Sequence, residues 1–257
     1  MDFQGTSLAL TADGLAAATG RLSVGAAEIW TVLAVETRGC GFLADRRPPI
    51  LFERHIFSGL TNHQFDLCDV SNPQPGGYGA SGANQYARLA DAIAKDRAAA
   101  LASASWGMPQ IMGENFAAAG FSDVESMVQA MCDSEDAQLA AFSAFLAANR
   151  LDQHLQAHDW AGLARGYNGP NFAANQYDTK LAAQFQKFSV GPLPDLNVRT
   201  AQLYLTFAGL DPGGVDGILG PKTQSALIVW QQRQGLSQTG SADPDTLASL
   251  TASIPTS

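Results

Sequence analysis

Apolar positions recur at helical spacing along most of the chain. Ile29, Val32, Leu33 and Glu36 share one such register, which predicts a helix over about 24–37 with Ser23 as its N-cap. Similar patterns at about 84–102, 123–132, 135–149, 159–165 and 174–188 predict further helices. PPILF, residues 48–52, breaks the pattern: it is short, apolar and proline-bounded, and predicts a strand or extended segment. SNPQPGGYGASGA, residues 71–83, predicts a loop long enough to carry function. Beyond residue 190 the helical pattern returns near 197–208, 221–234 and 243–250. DPGGVDGILG separates the first two of these, and Pro221 and Asp243-Pro244 suit the starts of the last two. Their apolar stripes (Val198, Leu203, Leu205, Leu227, Val229 and Leu247) would form one small core.

The clearest seam is VGPLPDLN, residues 190–197, with Gly191, Pro192 and Pro194. The expected organisation is a large domain over 1–189, a linker over 190–196 and a small domain over 197–257. The fold class is mainly α, with a minor β or extended element and a small three-helix bundle. The small domain is expected to fold alone, near the lower size at which domains do so.

Composition narrows the function classes. Hydrophobic residues make up 46% and charged residues 15%, enough to bury a sizeable core. The net charge of −9 argues against nucleic acid or anionic lipid as a partner. No apolar run reaches the length of a membrane span. The start, MDFQGTSLALTADGLAAATGR, lacks a basic stretch before an apolar one and does not read as a signal peptide, so synthesis in the cytoplasm is expected. Three cysteines, Cys40, Cys68 and Cys132, are too few for a disulfide framework.

Candidate chemistry begins with AVETRGCGF, residues 34–42. Glu36 closes an apolar helix, where desolvation would raise its pKa toward that of a general acid. In ILFERH, Glu53 and His55 lie two apart and would point the same way from an extended segment. Glu53 is the leading candidate for a second carboxylate and Asp45 the next; pairing of Glu53, Arg54 and His55 to hold a cleft is the competing reading. No HExxH or Cys/His cluster accompanies them, so neither metal nor cofactor is expected. Cys40 lies near Glu36, yet no signature surrounds His55, His63, His154 or His158 that would make a Cys/His nucleophile.

Three segments then occur in order: Glu36 at a helix end, SASWGMPQIM at 103–112, and GYNGPNF at 166–172. This triplet resembles the lysozyme-like superfamily of goose-type lysozymes and lytic transglycosylases. Together with ILFERHIFSGLT, GGYG, the E-x-x-QL pattern at 135–139, HDWAGLARGYNGPNF and NQYDTKLA, it is similar to the N-acetylmuramidase family found in phage endolysins. Thr37-Arg38 and Met108-Pro109 depart from the family pattern. The resemblance implies a lysozyme-like fold over 1–189, Glu36 as catalytic acid, and a cleft whose substrate contacts include Tyr78, Ser105, Trp106, Gln110, Tyr167 and Asn168. Residues 197–250 resemble the three-helix peptidoglycan-binding module, through Asp216, Gly217, Gly220 and Thr223 in D-G-x-x-G-x-x-T and through Trp230.

The implied function is cleavage of the β-1,4 bond between N-acetylmuramic acid and N-acetylglucosamine in bacterial peptidoglycan. The implied protein is a monomer that reaches the wall after holin-type release or another export. A lytic transglycosylase leaving 1,6-anhydromuramic ends shares these motifs, and a non-catalytic wall-binding protein is the remote alternative.

Overall fold

The computed structural model describes residues 3–36, 40–169 and 172–255; for Glu36 and Asn168 it describes the backbone alone. The first helices are α1 (Ala12–Leu22) and α2 (Ala26–Glu36), followed by strand β1 (Ile50–Phe52), α3 (Arg54–Leu60), α4 (Gln85–Ile93) and α5 (Arg97–Ala102). Strands β2 (Ala104–Trp106) and β3 (Ile111–Met112) precede α6 (Val124–Asp133), α7 (Glu135–Ala148), α8 (Asp152–Gln156), α9 (Trp160–Asn168) and α10 (Tyr177–Val190). The C-terminal module is α11 (Leu196–Phe207), α12 (Pro221–Gln234) and α13 (Pro244–Ala252). The protein is mainly α, as its pattern predicts.

Short polar side chains start most of these helices. Thr11, Asp96, Asp123, Ser134, Asp159, Asp195 and Asp243 each accept a backbone N–H from the first turn. Ser23 corrects the sequence reading. It is the left-handed C-cap of α1, not the N-cap of α2, because its N–H is donated back to α1 carbonyls. The helix expected over 84–102 is two helices, since Asp96 is extended and caps the second. The short helices α3 and α8 offer too few turns to show a periodic pattern.

β1, β2 and β3 form a small antiparallel sheet in that order, with Leu51 opposite Ser105 and Ser105 opposite Met112. The main core gathers Leu22, Ile29, Phe52, Phe57, Leu89, Trp106, Met127, Leu139 and Phe142 around this sheet and helices α2, α6 and α7. The chain before α1 is tied in as well: Leu8 bridges to Ser134 at the α6–α7 junction.

A second core holds Ala201, Leu203, Leu205, Leu227, Trp230 and Leu250 of the C-terminal module, together with Ala9 and Phe42 of the large domain. Val229, expected in that core, is exposed on the outer face of α12. The module is therefore docked, not merely connected. Arg199 of α11 reaches Glu135 of α7, and both side chains are almost wholly buried at 2% and 0% exposure. Ala9 N–H is donated to the Tyr204 hydroxyl, and Arg46 donates to the Pro255 carbonyl.

Trp106 tests this account of the core. It has no exposed surface, and its indole N–H is donated to the Leu101 carbonyl. Trp106→Ala is expected to cost about 3–5 kcal/mol in urea unfolding, as for large-to-small changes in a packed core. A cost below about 1 kcal/mol would show that Trp106 does not carry the packing assigned to it.

Candidate active site

Helix α2 delivers Glu36 at its last turn. The side chain of Glu36 and that of Asn168 lie outside the described residues, as do Thr37 and Arg38, so the site is built from what surrounds them. The chain re-enters view at Cys40 and is gripped at Gly41. Gly41 N–H is donated to Glu135 Oε1 at 2.8 Å, and its carbonyl accepts from Gln138 Nε2 at 2.9 Å. A Cβ on residue 41 would lie 2.5 Å from Gln138 Oε1, so only glycine fits between these side chains.

Gln138 also accepts the Met108 N–H at 2.6 Å. That bond joins the segment after Glu36 to the β2–β3 turn. On the same turn, the Tyr167 hydroxyl donates to the Pro109 carbonyl, with the Tyr167 ring edge-on to Phe142 and Phe145. The three segments that are distant in sequence thus converge on residues 107–110. Beside this turn is a cavity of about 350 Å³, lined by Cys40, Phe42, Leu51, Gly82, Gly107 and Gln110 among others.

Buried amides hold the cavity walls. Gln110 sits at φ 52°, in the left-handed region. Its Nε2 donates to Pro49 and Gly107 carbonyls, and its Oε1 accepts from Ser105. Both residues expected to bind substrate have these polar atoms engaged within the wall. Gln85, which sequence reasoning missed, accepts the Phe52 N–H and donates to Tyr78 and Ala80 carbonyls, tying the glycine-rich loop to β1. In the sequence, Glu135 and Gln138 stand out only within the E-x-x-QL pattern. Their signal was two polar residues three apart on the buried face of a helix that is otherwise apolar there.

Glu53 does not lie on an extended run with His55. It is extended itself and N-caps α3, so His55 falls in the first helical turn, with Nδ1 at 3.2 Å from Glu53 Oε2. Tyr78, partly exposed on the glycine-rich loop, is near enough to Glu53 to favour its charged form. Burial holds the Glu53 carboxyl above its usual range, against the lowering pull of His55 and Tyr78. Asp45 is occupied elsewhere: its carboxylate clamps the Arg47 guanidinium at 2.5 and 2.9 Å, and Arg47 stacks over Tyr86. Trp106, expected to touch sugar, cannot do so, because it is completely buried.

In the C-terminal module the D-G-x-x-G-x-x-T residues surround another buried amide. Gln202 accepts N–H groups of Asp216 and Gly217, and donates to Asp216 and Thr223. Gly217, at φ 72°, packs where a Cβ would meet Pro194 and Asp195 within 3 Å. Gly220 N-caps α12. Trp230, 6% exposed, belongs to the module's core, not to an open stacking face.

A family model for N-acetylmuramidase matches residues 25–189, and a model for a peptidoglycan binding domain matches residues 194–250. The chain belongs to the N-acetylmuramidase family. Among solved structures it is similar to that of the Burkholderia AP3 phage endolysin, with 42% identity over 70% of each chain and a TM-score of 0.65. No curated protein matches it. No helix among the described residues is long and apolar enough to cross a membrane.

For this N-acetylmuramidase, the buried groups near the site give two tests. The Cys40 thiol, donating to the Phe42 carbonyl at 3.0 Å, is pushed up to about 12 by burial and by the Glu135 carboxylate. It stays protonated and is no nucleophile. Iodoacetamide at about pH 8.5 should label Cys40 in the native protein on the order of a thousandfold more slowly than in the unfolded chain; comparable rates would refute this. The second test concerns Glu53. A carboxyl with a raised folded pKa binds its proton more tightly in the folded state, so stability is lost as pH rises above its ordinary value of 4.5. Glu53→Gln removes that loss. As pH is raised from 4.5, the melting temperature of wild type should therefore fall relative to the variant's. A constant difference, or a relative rise, would exclude it.

Proposed function

We propose that this N-acetylmuramidase is an endolysin-type peptidoglycan hydrolase that cuts the β-1,4 bond between N-acetylmuramic acid and N-acetylglucosamine. The observation that carries the reading is the agreement of two independent segments on one polymer. The large domain matches a muramidase family and the C-terminal module a wall-binding one. The similar solved structure, titled a phage endolysin, supports the same role.

Glu36 is the general acid. Its proton passes to the glycosidic oxygen as the bond from that oxygen to the anomeric carbon breaks; water then adds to the anomeric carbon and gives up one proton, which restores the carboxylic acid. Val32 and Leu33, one turn before Glu36 on α2, are buried, which supports an acid carried at an apolar helix end. Glu53 is the second carboxylate. In support, it lies directly after β1, whose Leu51 lines the cavity, and it is half-buried with its carboxyl held above the usual range by burial. The aromatic surface assigned to sugar is Tyr78 and the accessible part of Tyr167. Trp106 is not part of it.

The second domain concentrates the enzyme on its substrate, because a weak wall contact makes each cleavage effectively intramolecular. Glu36→Gln keeps the shape of the acid and removes its proton. It is expected to clear purified peptidoglycan at least 100-fold more slowly, in line with loss of general acid catalysis. Wild-type clearing by this variant would end the assignment. Mass spectrometry of the fragments decides the chemistry. Reducing muramic ends mark hydrolysis, and anhydro ends, lighter by one water, mark transglycosylation.

A further inference from the structure

We propose that Arg199, a side chain of the wall-binding module, is a positioning residue for glycan cleavage in the large domain. The inference rests on Glu36 being the catalytic acid. Glu36 closes α2, and the next described backbone held by the protein is Gly41, five residues on. Gly41 hangs on Glu135 Oε1, so the place of that carboxylate sets the place of Gly41.

Four hydrogen bonds fix the carboxylate. Oε1 accepts from Gly41 N–H at 2.8 Å and Arg199 Nη2 at 2.9 Å; Oε2 accepts from Leu10 N–H at 2.9 Å and Arg199 Nη1 at 2.6 Å. Two of the four come from the fork of one guanidinium, whose planar geometry matches a carboxylate edge-on. Arg199 Nη2 also approaches Met108 Sδ at 3.6 Å, on the turn to which Gln138 binds. On its other side, Arg199 shares a cavity of about 420 Å³ with Trp30, Leu33 and Ala34 of α2. One side chain of the module therefore lines a cavity with the helix that ends at Glu36 and binds the carboxylate that holds Gly41.

A tether would not need such a contact. An exposed ion pair at the surface would suffice to dock the module, whereas this one is sealed from water. A buried carboxylate without its cation would be expected to relocate or take up a proton, and Gly41 would move with it. Catalysis is sensitive to displacements near 1 Å in the groups that hold the reacting residues.

The test uses the full chain and a soluble oligosaccharide of alternating N-acetylglucosamine and N-acetylmuramic acid, on which wall avidity has no part. Arg199→Met is expected to lose about 10- to 100-fold in kcat with KM changed little, while binding to purified sacculi persists. Arg199→Lys, keeping the charge without the fork, should fall between, and added guanidinium should restore part of the rate of Arg199→Ala. If Arg199→Met does not fold, Glu135→Gln combined with Arg199→Met removes both charges and is read instead, with the same loss in kcat expected. Wild-type kcat in whichever of these charge-deleted variants is folded overturns the inference, as does wild-type kcat in Arg199→Lys. Glu36→Gln is run beside them. If that variant keeps full activity, the reading of the active site fails, and this result is separate from any result at Arg199.

Discussion

A carboxylate buried at 0% exposure organises this protein. Glu135 stands at the first turn of α7 where no water reaches it, and a charge in such a place is stable only when each of its lone pairs is met. The four donors come from three places far apart in the chain: Leu10 before α1, Gly41 after α2, and Arg199 in α11. Burial works against the charge of Arg199, and the Glu135 carboxylate outweighs it, holding the guanidinium's pKa above its ordinary value. Removing either partner of such a pair costs about 3–5 kcal/mol. The N-terminal segment at Leu10, the chain at Gly41 and the C-terminal module are therefore held by one group.

Around that charge, the protein builds its irregular parts with neutral amides. Gln85, Gln110, Gln138, Gln202 and Gln231 are each buried or nearly so, and each bridges two or more segments through both ends of its carboxamide. An amide supplies two donors and an acceptor without the desolvation cost of an ion. The walls of the cavity are short strands and turns that cannot satisfy their own backbone groups, and these side chains do it for them. Among the described residues, the sheet beside the cavity has three short strands.

The same economy shapes the wall-binding module. Gln202 in α11 and Gln231 in α12 each pin the loop that follows their helix, and the residues of D-G-x-x-G-x-x-T serve that pinning. The motif is thus first a description of a loop. The module's inward face is given over to the large domain through Arg199, Tyr204 and the core shared with Phe42.

The sequence by itself determined the mainly helical class, most helix positions and the family resemblance, because helical periodicity, caps and collinear motifs are local or ordered signals. Its errors have physical reasons. Ser23 suits either end of a helix, and only the chain geometry makes it close α1. Trp106 is an aromatic beside a cleft motif, and one residue of strand alternation turns it into the core while Ser105 faces Gln110. Glu53 and His55 meet across the start of a helix rather than along a strand. Only the tertiary structure decided what joins Glu135 to Arg199. Sixty-four residues separate them, and no pattern in a single chain says which buried cation answers a buried anion. That match is set by the packing of two domains, each of which reads as complete on its own.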